Sequence, residues 1–581
     1  MKIQTLILTL LATAGTALGS QVYSNLWIPP TLTGPIYNLN LHATNKYYLP
    51  GSNTVTYAYN NVDFWGPTLI MSNGDTVQIN LTNNLPDTTT THWHGFHIPA
   101  IMDGGPHETI PTGTTWSPTF TVLNRASTYW YHPHLHTLTQ NHLGHGAGGF
   151  IIVHDAQESA LPLPRTYGVD DIPLVLTSRR FYTTAAQLNQ FNVTNGATGC
   201  AYGDYELVNG CMNFGATNVE VFLPQQYVRL RILNAEIERV YNLGFSNNLT
   251  FYQIGTDGGL VNAPVPLTRV VLAPGERTEI LLNLGTNAIG SAVNLMAYNS
   301  ASSLGSTLSF GYPGEESGTS GEFGSLLNDI NFQILHIVVT NATANPILAL
   351  PTVLCTNTFW TTANVTKSRT ITLTGGQPPS GVFVFDSSPF SINVVNQYVS
   401  LNAVEEWTIV NTSIFSHAFH IHDVEFTPLA RTGSGVMTGI QAYEQGWKDT
   451  IYVQQNSSVS FIAKFDNFAS PYNPFMYHCH MIDHEDEGTM AQFVVQNTNT
   501  EDLYITSCTR TGTNQNINLN FNATPGTTYQ LLFSTNFTTG SWSPVATVTS
   551  DGTSVNYYET NATRLALARG FYRINEPTNN Y

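Results

Sequence analysis

The sequence predicts an all-β protein built from several stacked β-sandwiches, and three observations carry that expectation. Long helical periods are scarce. Strand-type alternation recurs, as in Thr76-Val77-Gln78-Ile79-Asn80-Leu81 and Tyr227-Val228-Arg229-Leu230-Arg231-Ile232-Leu233. Turn formers are frequent, with 46 Gly and 30 Pro among 581 residues. A chain of this length holds three or four domains at roughly 100–200 residues each. Its hydrophobic content of 42% gives each of them material for a core.

The elements follow in order. Met1-Lys2, the apolar run Ile3–Leu11 and small residues up to Gly19 read as a secretory signal over residues 1–19. That run is too short to span a bilayer, and no other stretch is long enough. A secreted protein, periplasmic or extracellular, is therefore expected. Residues 20–155 form a first β-rich unit, 156–345 a second and 346–498 a third. Residues 499–581 form a small Thr/Asn-rich β-sandwich module, with alternation such as Tyr529-Gln530-Leu531-Leu532-Phe533. Its role, read from sequence, is attachment, sorting or stability.

Composition excludes some functions. The formal charge of −18 argues against a nucleic acid or an anionic membrane as partner. Of the five cysteines, Cys479 sits among histidines and reads as a metal thiolate. The other four can pair in three ways. Cys200 and Cys211 are close in sequence and make the expected disulfide, which leaves Cys355 with Cys508.

Histidine placement separates the units. Sixteen of the 18 His lie in His92–His154 or His417–His484, and His336 is alone in the second unit. Metal chemistry is thus expected in units one and three, at their contact, with unit two as a spacer. Four clusters stand out: His92-Trp93-His94; His132-Pro133-His134; His417-Ala418-Phe419-His420-Ile421-His422; and His478-Cys479-His480 with His484. Successive side chains on a strand point to opposite faces. His478 and His480 then face one way and Cys479 the other, so one tripeptide touches two metal centres. One thiolate with two imidazoles is the signature of an electron-transfer copper site. A structural zinc site more often takes paired cysteines, and this chain has no C-x-x-C.

In the order and spacing of these clusters the chain resembles the multicopper oxidase family. It is most similar to the three-cupredoxin, laccase-like members and, among these, to the copper-efflux oxidases. The resemblance covers roughly residues 28 to 495. It extends to segments without ligands: Met102–Pro106, Leu163–Asp171, Gly255–Gly259 and Gly446–Thr450. It implies three cupredoxin-like Greek-key sandwiches followed by the C-terminal module, and four copper ions. His417, Cys479 and His484 would hold the type 1 copper, and His92 and His420 the type 2 copper. His94, His132, His134, His422, His478 and His480 would hold the type 3 pair. Asp103 and Glu485 stand at the positions of the family's acids beside the trinuclear cluster. The implied partners are O2 and a small one-electron donor, phenolic or aromatic-amine in type. A cuprous oxidase or a bilirubin-oxidase-like enzyme is the alternative, and a copper-binding protein without activity is the alternative outside the enzymes.

The chain departs from the family pattern at three places. Thr489 stands where relatives carry the axial Met of the type 1 site, with Met490 one residue beyond; a local shift that brings Met490 in is the competing reading. Asp423 replaces a common Gly after His422, and either orients a ligand imidazole or faces solvent. No Met cluster occurs in residues 300–345, where a cuprous oxidase would carry a Met-rich insert. His97, His107, His136, His142 and His145 crowd the first unit, and satisfied or solvent-facing roles are expected for them over extra copper binding.

Overall fold

The computed structural model describes residues 21–193, 202–215, 217–304, 324–376, 382–433 and 437–497. In the C-terminal part it describes 505–511, 516–523, 528–535, 542–551, 554–567 and 571–575. The signal segment 1–19 and Cys200 lie outside these residues. The chain divides into two compact units, Met1–Val494 and Val495–Tyr581.

The larger unit contains three β-sandwiches. In the first, one sheet runs Thr31–Thr33, Thr68–Ser72, Gly149–His154, Ser127–His132, His92–His94. It faces a sheet built on Ile36–Lys46 and Thr76–Asn84. Alternation drives this packing: Tyr37, Leu39 and Leu41 of one strand and Val77, Ile79 and Leu81 of the other enter one core with Leu69 and Ile151. The second sandwich pairs a six-stranded with a seven-stranded sheet around Leu174, Leu230, Ile280, Leu223 and Ile337. Val22–Asn25 joins its six-stranded sheet, pairing in parallel with Thr217–Pro224. The third sandwich packs Phe385, Trp407 and Phe461 of one sheet against Phe419, Tyr477 and Phe493 of the other.

The His-bearing strands sit side by side within their sheets. His92–His94 pairs antiparallel with Ser127–His132, opposing His94 to Trp130 and His92 to His132. His417–Ile421 pairs with Phe475–Cys479, opposing His420 to His478. On the other side of Phe475–Cys479 runs Met490–Gln496, with Met490 opposite His478. The short helix Ile482–Asp486 follows at once and turns His484 and Glu485 back toward the strand ends.

The smaller unit is a sandwich of two three-stranded sheets. One orders Ile505–Thr511, Asn516–Asn522, Ser554–Glu559, and the other Ser543–Thr549, Thr528–Ser534, Phe571–Asn575. Leu519, Phe521, Tyr529, Leu531 and Val555 fill its core.

Cys211, Cys355, Cys479 and Cys508 are free thiols. The expected pairing of Cys355 with Cys508 is therefore not made. Cys355 is buried against the carbonyls of Leu260 and Val261, each 3.3 Å from its sulfur.

Candidate metal centres

All ten histidines and Cys479 from the four clusters are buried, and they converge in groups. His134, His422 and His478 bring their Nε2 atoms within 3.0–3.2 Å of one another. Such a triangle suits three nitrogens bound about 2 Å from one ion. His94, His132 and His480 form a second group, in which His132 Nε2 lies 3.4 Å from His94 Nδ1. His92 and His420 join His94 in a third. Three of the H-x-H pairs therefore divide between groups: His134, His422 and His478 enter the first, His132 and His480 the second, and His420 the third. The fourth group is His417, Cys479 and His484. Its Cys479 Sγ lies 3.3 Å from His417 Nδ1 and 3.7 Å from His484 Nδ1.

Local chemistry prepares these rings for a cation. Burial, and next the charge of neighbouring imidazoles, holds His94, His132, His134, His422 and His480 well below the usual imidazole range. Burial takes His420 down to about 4. Neutral rings keep a free lone pair for a metal. His92 Nε2, His420 Nε2 and both ring nitrogens of His480 are buried without a hydrogen-bond partner. Leaving such groups unpaired is costly, and a bound cation removes the cost. Burial pushes the Cys479 thiol far up, so only a cation beside it would hold a thiolate.

The opposite edge of most rings is held by an oxygen, which fixes the nitrogen left for a metal. His92 Nδ1 donates to the Asp103 carbonyl at 2.9 Å, and His420 Nδ1 to the Asp449 carbonyl at 2.9 Å. His132 Nδ1 reaches the Pro133 carbonyl at 2.8 Å. His422 Nδ1 donates to Asp103 Oδ2 at 2.6 Å. His94 Nε2 donates to Asp449 Oδ1 at 3.1 Å, and Arg277 grips the same carboxylate with two bonds of 2.8 and 2.6 Å. The close approach needs Gly95, whose φ is +83° and whose added Cβ would stand 2.5 Å from Asp449 Oδ2.

Both sequence-predicted acids lie at these groups. Asp103 touches His422, and its Oδ1 is 3.3 Å from His92 Nδ1. Glu485 sits between two rings of one triangle, 3.2 Å from His134 Nδ1 and 3.1 Å from His478 Nδ1. Thr139 donates to Glu485 Oε1 at 3.0 Å. Next to it, burial and then the charge of Glu485 push Asp486 up to about 8.

The thiol-bearing group is lined by apolar side chains. Phe383 packs on His417 and His484, and Phe415 on His484. Thr489 is buried opposite Cys479, where Cys479 N donates to the Thr489 carbonyl at 3.0 Å. Its hydroxyl donates to the Phe383 carbonyl at 2.9 Å. Met490 pairs with His478, which puts it on the strand face opposite to Cys479. Of the two axial candidates, Thr489 is therefore the residue on the thiol's side. Far from these elements in sequence, the buried carboxylate of Glu238 places Oε1 3.4 Å from His484 Nε2.

Asp423 takes neither role expected for it. It is buried in a left-handed conformation, φ +69°, which accounts for the Gly expected there. Its carboxylate pairs with His97 Nδ1 at 2.8 Å. Burial lowers His97, but the charge and hydrogen bonds of Asp423 outweigh it and raise the imidazole to about 9. His107 binds Gln492, His136 packs on Phe390, His142 meets Thr89, and His145 stacks on Tyr57. The sequence alone points to no role for Asp449, Arg277 or Glu238. Asp449 lies in the Gly446–Thr450 segment noted for its family likeness, and Glu238 carried no signal.

Residues 42–158 and residues 362–499 each match a multicopper oxidase domain family. Over 473 residues the chain is 30% identical to the cell division protein FtsP of Sodalis glossinidius, covering 81% of this chain and 92% of that one. It is 29% identical to the multicopper oxidase mco of Staphylococcus haemolyticus, covering 77% and 85%. Among solved structures it is similar to a laccase-like multicopper oxidase CueO from Ochrobactrum sp., with 28% identity and a TM-score of 0.69. That match covers 81% of this chain and all of the other. The McoA multicopper oxidase of Aquifex aeolicus also has a TM-score of 0.69, at 27% identity and 81% and 99% coverage.

Proposed function

This chain belongs to the multicopper oxidase family, and we propose that it is a laccase-type oxidase. It would couple one-electron oxidation of phenolic or aromatic-amine donors to four-electron reduction of O2 to water. One observation carries the reading: three consecutive residues, His478, Cys479 and His480, belong to three different buried ligand groups.

The residues present suit copper. His417, Cys479 and His484 would hold the type 1 ion, and His92 and His420 the type 2 ion. His94, His132 and His480, with His134, His422 and His478, would hold the type 3 pair. Copper bound there supplies one-electron exchange at the thiolate site and O2 chemistry at the histidine groups. The protein supplies the path and the protons. The backbone of Cys479 joins its sulfur to His478 and His480 through covalent bonds alone. His484 offers the ring edge away from the thiol, held by Glu238. Forming water consumes protons, and carboxylates at the histidine groups can deliver them. Asp103 would act from Oδ2 at His422, and Glu485 from between His134 and His478.

A structural role without oxidase activity is the second reading, favoured by the 30% identity to a protein named for cell division. The buried, unpartnered ring nitrogens weigh against it, because a chain with no metal to bind would hold them at a net cost. No helix among the described residues is long and apolar enough to cross a membrane. An exported setting belongs to the proposal and rests on residues 1–19. The test is a donor panel of phenols, aromatic amines, bilirubin and Cu(I) on copper-loaded protein, read as O2 uptake. Uptake with phenols or amines is the expected result. Uptake with Cu(I) alone would move the assignment to a cuprous oxidase, and no uptake would leave the structural role.

A further inference from the structure

We infer that the outward face of one sheet in the C-terminal unit binds a neutral polysaccharide. The sheet is that of Ile505–Thr511, Asn516–Asn522 and Ser554–Glu559. Its central strand reads Asn-Ile-Asn-Leu-Asn-Phe-Asn. Leu519 and Phe521 point into the core, so Asn518 and Asn520 belong to the outward face. Register places Thr509 and Tyr558 on either side of Asn518, and Asn556 beside Asn520. Thr509, Ser554, Asn556 and Tyr558 are exposed. Tyr558, at 58%, is the one strongly exposed large apolar side chain among the described residues of this unit.

The chemistry of this face is selective. None of its described side chains is charged, although the chain carries a net charge of −18. Glu559, the acid that ends the strand Ser554–Glu559, turns inward, is buried and binds Arg564. An uncharged surface gives a polyanion or polycation no electrostatic purchase. It also lacks the desolvated apolar centre of a protein interface. Amides and hydroxyls both donate and accept, which complements a polyol. The exposed Tyr558 ring offers an apolar surface to the C–H face of a sugar. With strands about 4.8 Å apart and like-facing residues about 6.7 Å apart, the platform measures roughly 10 by 14 Å. That is room for two or three hexose rings.

The test is retention of the copper-loaded, full-length protein on cellulose, chitin and insoluble starch particles at moderate salt. Retention on at least one is expected, with a tenfold or greater loss in Tyr558→Ala and in Asn556→Ala. Tyr472→Ala, which changes an exposed tyrosine of the larger unit, should bind as the parent does. Thermal melting of each variant reports whether the unit is still folded. Retention on none of the three polymers, or equal retention by a folded Tyr558→Ala or Asn556→Ala protein, would overturn the inference. O2 uptake by the same samples reports on the oxidase reading separately.

Discussion

Oε1 of Glu238 lies 3.4 Å from Nε2 of His484, on the ring edge opposite to the thiol of Cys479. A carboxylate there favours the more positive, oxidised state of an ion on Nδ1. Glu238→Gln keeps the shape and removes the charge. The blue absorption band should persist and the reduction potential of that site should rise. A redox titration followed in the blue band checks it, and a potential that stays or falls would contradict the role.

The side chain of Thr489 spends its hydroxyl on the Phe383 carbonyl and offers no thioether to the thiolate site. The axial ligand tunes the potential of such copper sites. Thr489→Met should therefore lower it. An equal or higher potential in that variant would show that another residue already serves as axial ligand.

Glu485 bridges the outer nitrogens of His134 and His478. Glu485→Gln retains a hydrogen-bonding group and loses the proton donor. O2 reduction should slow by about a hundredfold or more, in the range of general acid catalysis. The blue band and its rate of reduction by donor should be unchanged. Steady turnover at the parent rate would remove Glu485 from the proton path.

Asp449 is the one carboxylate gripped twice by Arg277, and both are buried. Asp449→Ala leaves a guanidinium buried with its main partner gone. Breaking a buried pair in this way costs about 3–5 kcal/mol. Denaturant unfolding of copper-free protein measures it. A loss below about 1 kcal/mol would mean that water or Asp257 takes over.

Much of this architecture is legible in the sequence. Strand alternation over Ile36–Lys46 or Asn516–Asn522 is local, and so is the dense run His478-Cys479-His480. The convergence of the four clusters is implied by their placement in the first and third units and by the family resemblance. What holds them is not. Asp449 meets His94 across 355 positions, and Arg277 meets Asp449 across 172. Glu238 comes from the spacer sandwich, where no histidine cluster draws attention. Asp423 was misread because its left-handed backbone and its partner His97 are both tertiary facts. Counting cysteines likewise missed that Cys355 is satisfied by two carbonyls.

In the proposed reaction one chain gathers single electrons at Cys479 and delivers them together to O2. The most direct measurement is the ratio of donor oxidised to O2 consumed by copper-loaded protein, with peroxide assayed alongside. The expected result is four one-electron donors per O2 and no peroxide, with turnover abolished in Cys479→Ser. Two donors per O2 with peroxide released, or full turnover in Cys479→Ser, would contradict it.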